Sequence, residues 1–244
     1  MNKWAGRYRK FVIYMMMVFV LFLCVLSFNL YRINEVIGIR GCDQVAKFTM
    51  LNQEQGSAVY DNNYIRVRYN SSNTNIHFII SPIEDINKCA YVPFARGLSN
   101  NKYNVNILNT TDVIFESNIE EQIKKIFDIY KDEATYYMII HKENPTIEQY
   151  VKEHSEYFSG VIYLDSVPSV NFSSNIKLYG IYTDDFIDGT EKCNQLNMTC
   201  QYIKGGSTDG FINVEDHKLN ELTWQVQQVK AIQMILEMVD EKED

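Results

Sequence analysis

The run Tyr136-Tyr-Met-Ile-Ile140-His141-Lys142-Glu143-Asn144-Pro145 decides the architecture of this 244-residue chain. Tyr136 to Ile140 is short, apolar and rich in strand formers. Pro145 to Phe158 has helical spacing, with Asn144 placed as N-cap and Pro145 at the first position. A strand, a tight turn and a helix therefore follow in succession, and Lys142 stands at the turn.

The same pattern extends on both sides. Apolar runs at about 76–80, 103–108, 135–140, 159–164, 176–182 and 199–203 read as strands, several of them continuous, as parallel strands covered on both faces are. Helices fit 88–99, 118–131 and 145–158. Ala58-Val-Tyr60 and Tyr64-Ile-Arg-Val-Arg68 read as a hairpin around Asp61-Asn-Asn63. A closing helix carries an apolar stripe of Leu219, Leu222, Val226, Val229, Ile232, Leu236 and Val239, expected to pack on the sheet. The expected class is α/β: a three-layer, mostly parallel sheet with helices on both faces, occupying residues 57–244.

Taken in order, these segments resemble a bacterial α/β-hydrolase family related to the dienelactone hydrolases. Asn75-Ile-His-Phe-Ile-Ile-Ser-Pro82 is similar to the strand that leads into the family's oxyanion-hole loop. Tyr91-Val-Pro-Phe-Ala-Arg-Gly-Leu98 resembles the following helix, and Tyr103-Asn-Val-Asn-Ile-Leu108 the next strand. Ser159-Gly-Val-Ile-Tyr-Leu-Asp-Ser166 looks like the strand after the nucleophile. Ile181-Tyr-Thr-Asp-Asp185 resembles the segment carrying the triad acid, and Gly205-Gly-Ser-Thr-Asp-Gly-Phe211 the one carrying the triad histidine. The resemblance implies that the turn at Lys142 corresponds to the nucleophile elbow, G-x-S-x-G in active members.

Carried over position by position, the acid survives as Asp185, the nucleophile becomes Lys142 and the histidine becomes Thr208. A Ser-His-Asp system needs an imidazole to take the hydroxyl proton and a carboxylate to hold that ring, so two substitutions out of three remove the mechanism. The oxyanion loop reads Ser81-Pro82-Ile83-Glu84. Proline has no N–H, and Glu84 brings negative charge where an anion would have to be stabilised. Asn144 and Pro145 replace the small residues of a strained elbow, which predicts relaxed backbone at Lys142.

Phe11 to Leu30 carries no charge and follows Lys3, Arg7, Arg9 and Lys10. It reads as an uncleaved transmembrane signal anchor, with residues 1–10 a basic cytoplasmic tail and the C-terminal domain on the outer face of the cell membrane. Residues 31–56 read as a membrane-proximal stalk that partly packs on the domain. The first 34 residues hold five basic groups and no acidic ones, leaving 18 basic against 31 acidic, or −13, for the remainder. That balance disfavours nucleic acid and anionic lipid as partners of the domain. Cys42, Cys89, Cys193 and Cys200 lie outside the apolar segment in a compartment that permits disulfides. Two bridges, Cys42–Cys89 and Cys193–Cys200, and four buried thiols are both open readings.

Of the four histidines, His141 is expected as a structural neighbour of the turn, His77 as a strand residue and His154 as a solvated helix residue. His217 could be recruited toward Asp185. Asp184, Asp185 and Asp188 read as acidic residues at a helix start rather than a cation site, and neither a metal nor a cofactor is expected. The functional expectation is a membrane-anchored, catalytically degenerate hydrolase-like domain that binds a small ligand or a protein partner. The alternatives are a diverged esterase-like hydrolase with a rewired site, and a structural or scaffold subunit.

Overall fold

The computed structural model describes residues 12–24, 40–51, 58–61, 64–68, 75–110, 118–130 and 134–240. The chain divides into two units, Met1–Ile39 and Arg40–Asp244. In the first, α1 covers residues 12–24 with its side chains exposed. Among the described residues no helix is long and apolar enough to cross a membrane. At 1.5 Å per residue α1 spans roughly 20 Å, against about 30 Å of bilayer hydrocarbon. The basic tail 1–10, residues 11 and 25–30 of the expected anchor, and stalk residues 31–39 and 52–56 lie outside the described residues.

The second unit is an eight-stranded sheet in the order β1-β2-β4-β3-β5-β6-β7-β8. Its strands are β1 (Ala58–Asp61), β2 (Tyr64–Val67), β3 (Ile76–Ser81), β4 (Asn104–Leu108), β5 (Thr135–His141), β6 (Phe158–Leu164), β7 (Lys177–Thr183) and β8 (Thr199–Ile203). β1 and β2 form an antiparallel margin, and β4, β3, β5, β6, β7 and β8 run parallel. The expected three-layer α/β arrangement is therefore present. Parallel strands need crossovers, and α3 (Val92–Asn100), α4 (Ile119–Tyr130), α5 (Pro145–Glu153) and α6 (Gly189–Gln195) lie in them, while α2 (Gln44–Leu51) precedes β1 and α7 (Trp224–Asp240) follows β8.

Alternation along the strands sends side chains to two separate cores. Phe78, Ile80, Tyr137, Ile139, Ile162 and Leu164 pack with residues of α2, α3 and α7. Ile79, Met138, Ile140, Val161 and Tyr163 pack with residues of α4, α5 and α6. β5 lies between β3 and β6, and Tyr136 through Ile140 are buried on both faces, which is why that run is apolar at every position.

Two helices depart from expectation. α5 stops at Glu153, five residues before the expected end, because the chain must enter β6 at Phe158. α7 is rotated relative to the expected stripe. Val226 and Val229 are 45% and 55% exposed, while Gln227, Gln228, Ala231, Ile232, Ile235, Met238 and Val239 are buried. Periodicity placed the glutamines outside; the tertiary structure gives them buried backbone and side-chain partners.

Residues 40–49 pack against the domain. Arg40 bridges in parallel to Ile86, and Cys42 pairs with Val214. Asp43 caps α2 through Ala46 N–H at 2.7 Å and accepts from Asn213 Nδ2 at 3.2 Å. Disulfides join Cys42 to Cys89 and Cys193 to Cys200, so the bridged reading holds over the four-thiol one.

Candidate functional site

Every strand of the parallel sheet ends at one rim, and the residues expected there arrive from β5, β7 and β8. Lys142 follows β5. Its φ is 64°, a left-handed conformation that L side chains adopt at a cost of about 1–2 kcal/mol. This overturns the expectation of relaxed backbone. His141 is registered against Leu164 on β6, Lys142 N–H donates to Leu164 O at 3.3 Å, and Asn144 Oδ1 caps α5 by accepting from Ile147 N at 3.2 Å. Strand and helix are both pinned by their cores, so the few residues between them must reverse the chain sharply whatever stands at the apex. The strain belongs to the fold rather than to the side chain at the apex. Lys142→Gly is therefore expected to stabilise the domain by about 1 kcal/mol, read as a higher urea midpoint at unchanged m-value. An unchanged or lower midpoint would count against a strained apex.

Asp185 and Thr208, to which the resemblance assigns the acid and histidine positions, are brought together. Thr208 N–H donates to Asp185 Oδ2 at 2.8 Å, and Asn220 Nδ2 donates to Asp185 Oδ1 at 2.9 Å. The acid thus holds the backbone of the loop at Thr208. Lys142 is exposed and joined to neither of them by a hydrogen bond or ion pair among the described residues.

The histidines are committed elsewhere. His141 is buried, with Nδ1 2.8 Å from Tyr91 Oη and its ring edge-on to Phe211 at 5.4 Å. Burial first, and the Lys142 charge second, hold it down at about 3, so the ring is neutral. Tyr91 Oη accepts from Ile83 N at 3.0 Å, which leaves its own proton for His141 Nδ1. His217 Nε2 lies 2.9 Å from Ile212 O and is not recruited to Asp185. His77 is enclosed by Tyr130 and Tyr136, and burial lowers it to about 4. His154 is not simply solvated: it caps the end of α5 and stacks on Tyr150 with centroids 4.2 Å apart.

The loop Ser81 to Glu84, which the resemblance sets at the oxyanion hole, is committed in the same way. Pro82 offers no donor, the Ile83 N–H belongs to Tyr91, and Glu84 is exposed. An oxyanion hole needs free N–H groups aimed at the developing charge, and this loop presents none from Pro82 or Ile83.

One carboxylate at the rim was missed from sequence. Asp165 follows β6 with φ 47°, is 6% exposed, and accepts from Thr183 N at 2.7 Å, Thr183 Oγ1 at 2.5 Å and Thr208 Oγ1 at 2.9 Å. Burial raises its pKa against the pull of those hydrogen bonds, and the Asp185 charge adds to the rise. A carboxylate at the carboxyl end of an apolar strand was the available signal. Asp184 and Asp185 are not helix caps as expected: Asp184 accepts from Tyr202 Oη and from Gly205 N, tying β7 to the loop after β8.

The loop Gly205 to Phe211 is held from below and from the side. Gln227 Oε1 accepts from Ser207 N at 2.9 Å, and its Nε2 donates to Ser207 O at 2.7 Å. A Cβ on Gly210 would lie 2.0 Å from Gln227 Oε1, so only glycine admits the amide. From the chain's other end, Arg40 places a two-pronged bond on Asp209, Nη1 to Oδ1 and Nη2 to Oδ2, both 2.8 Å, and a further bond on Asp216 at 3.0 Å. Burial alone would raise Asp209, but the guanidinium outweighs it and the pKa is lowered.

A groove of about 490 Å³ lies away from this rim. Lys177, Leu178 and Tyr179 begin β7 and Thr199 begins β8, which puts the groove at the opposite end of the parallel strands, walled by Phe172, Ser173 and Leu196.

No family model matches the chain, and no curated protein matches it. Solved structures do. A protein of unknown function from Agrobacterium tumefaciens, described as a candidate α/β hydrolase, superposes with a TM-score of 0.52 at 10% identity, over 77% of this chain and 95% of the other. A candidate esterase from Staphylococcus aureus gives 0.50 at 7% identity over 82% and 90%. A candidate dienelactone hydrolase from Klebsiella pneumoniae gives 0.47 at 9% identity over 71% and 90%, too loose to support the narrower resemblance. The fold is that of the α/β hydrolases; at such identities the likeness is one of fold.

Proposed function

We propose that this chain is a catalytically inactive α/β-hydrolase-like domain, anchored by its N-terminal apolar segment at the outer face of the cell membrane, and that it acts by binding a small ligand or a protein. The observation that carries the reading is Lys142 at the apex of an elbow that has kept its left-handed backbone. The scaffold that would lift a nucleophile is intact, and among the described residues the side chain it lifts is hydrogen-bonded to no base. Thr208 at the histidine position and the spent Ile83 N–H support the same conclusion from two further elements. The rewired-hydrolase alternative needs a histidine on Asp185, and the hydrogen bonds of that carboxylate go to Thr208 and Asn220 instead.

Incubation of the full chain with a fluorophosphonate probe tests the proposal. The expected result is no covalent labelling and no hydrolysis of short-chain esters above a heat-treated control. Labelling at any residue would sink it. Membrane fractionation tests the anchor separately: recovery in the soluble fraction without detergent would remove that part alone.

A further inference from the structure

Glu148 is a carboxylate that the candidate site does not use. It lies on α5, one turn after the strained elbow, and is 0% exposed. Its Oε2 accepts from Ser169 N at 2.6 Å, Ser169 Oγ at 2.9 Å and Val170 N at 3.2 Å. All three donors belong to the segment 165–176 that leaves β6 at Asp165 and returns into β7. That segment borders both ends of the sheet. Asp165 fixes Thr208 at the rim, while Phe172, Ser173 and Ser174 line the groove at the other end.

The second oxygen, Oε1, is buried without a hydrogen-bond partner, as are Tyr163 Oη and Ser166 Oγ. A buried, unpaired carboxylate oxygen is costly when charged and far less so when it carries a proton. The groups that set the ionisation of Glu148 are Ser169 on the loop, Val170 beside it and the Asn144 backbone on its own helix; no basic side chain is among them. From the sheet, Tyr163 faces it and is itself pushed up in part by the Glu148 charge.

We propose that Glu148 is a proton-dependent latch: as a neutral carboxylic acid it clasps the segment 165–176 to α5, and on ionisation, its proton passing to water, it releases that segment. The direction of its pKa agrees, because burial raises it over the lowering pull of the Ser169 and Val170 bonds. A folded-state value above that of the released, solvated carboxyl means the clasp is complete below the ordinary carboxylate range. It weakens as pH rises through the folded value. Release would loosen the wall of the groove and the footing of Asp165 together.

Hydrogen–deuterium exchange of the full chain between pH 5 and 8, corrected for intrinsic exchange, tests this with Glu148→Gln, which imitates the protonated acid. Protection of 165–176 is expected to fall at least tenfold with rising pH in the parent relative to Glu148→Gln, whose protection stays flat. Superimposable profiles would overturn the proposal. Should the variant not fold, ¹³C NMR titration of the Glu148 carboxyl in the parent decides: a midpoint above the ordinary carboxylate range supports the latch, and an ordinary midpoint overturns it.

Discussion

Replacing Cys42 and Cys89 together by alanine is expected to lower the stability of the domain by about 4 kcal/mol in the chain-entropy description, because the bridge closes a long loop. The two cysteines are 47 residues apart in sequence, and the loop between them contains β1, β2 and β3. In the folded protein the bridge fastens residues 40–49 to the turn before α3, next to the Arg40–Asp209 fork. Cutting it leaves that fork, the Asn213–Asp43 hydrogen bond and two short backbone bridges to hold the segment, and partly exposed polar contacts contribute much less than a covalent bridge over such a loop. For a domain of this size the melting temperature should drop by about 12 °C, measured by calorimetry on the double variant and the parent. A drop under about 3 °C would show that the bridge does not constrain the unfolded chain. The Cys193–Cys200 bridge spans only 7 residues and should matter less.

Gln227→Leu is expected to cost about 3 kcal/mol, though it puts an apolar residue at a fully buried helix position. The amide of Gln227 satisfies both the N–H and the carbonyl of Ser207, each inside the protein. Leucine leaves the buried Ser207 N–H unpaired and takes one of two donors from the Ser207 carbonyl, which keeps only the Gly210 N–H, and no burial of extra methyl surface offsets that. The loop it supports is the one that carries Thr208 and Asp209, so its protection from amide exchange should fall more than that of β5. Chemical denaturation checks the magnitude. A variant as stable as the parent would mean that Ser207 finds other partners and that the glycines at 206 and 210 are not there to admit the amide.

The same two regions show how far the residues could be read in advance. Tyr136 to Ile140 is buried on both sides and could be nothing other than a central strand, and the Asn144-Pro145 pair started α5 as expected. Asp185 and Thr208 were placed by resemblance and do meet in space. Glu148, Asp165 and Gln227 were not found, because a polar residue on a helix or at a strand end gives the same local pattern whether it faces water or an unpaired backbone group. Its partners are Ser169, Thr183 and Ser207, and 18 to 21 residues separate each pair. Part of the α7 stripe failed for the same reason: Leu222, Ile232, Leu236 and Val239 pack on the core as expected, but the hydrogen bonds of Gln227 and Gln228 turn Val226 and Val229 outward.

By itself the sequence determined the order of the strands and of helices α3, α4, α5 and α7, the mostly parallel sheet they imply, and the lysine at the turn and threonine in the loop. Those depend on composition and short-range spacing. The tertiary structure alone decided the backbone at Lys142. Asn144 and Pro145 locally favour a relaxed turn, but a strand fixed between β3 and β6 and a helix packed on the opposite core leave too few residues between them for one. Packing on both sides of a short connection outweighs a local preference of about 1–2 kcal/mol, so the turn holds Lys142 in a left-handed conformation that its own residues do not favour.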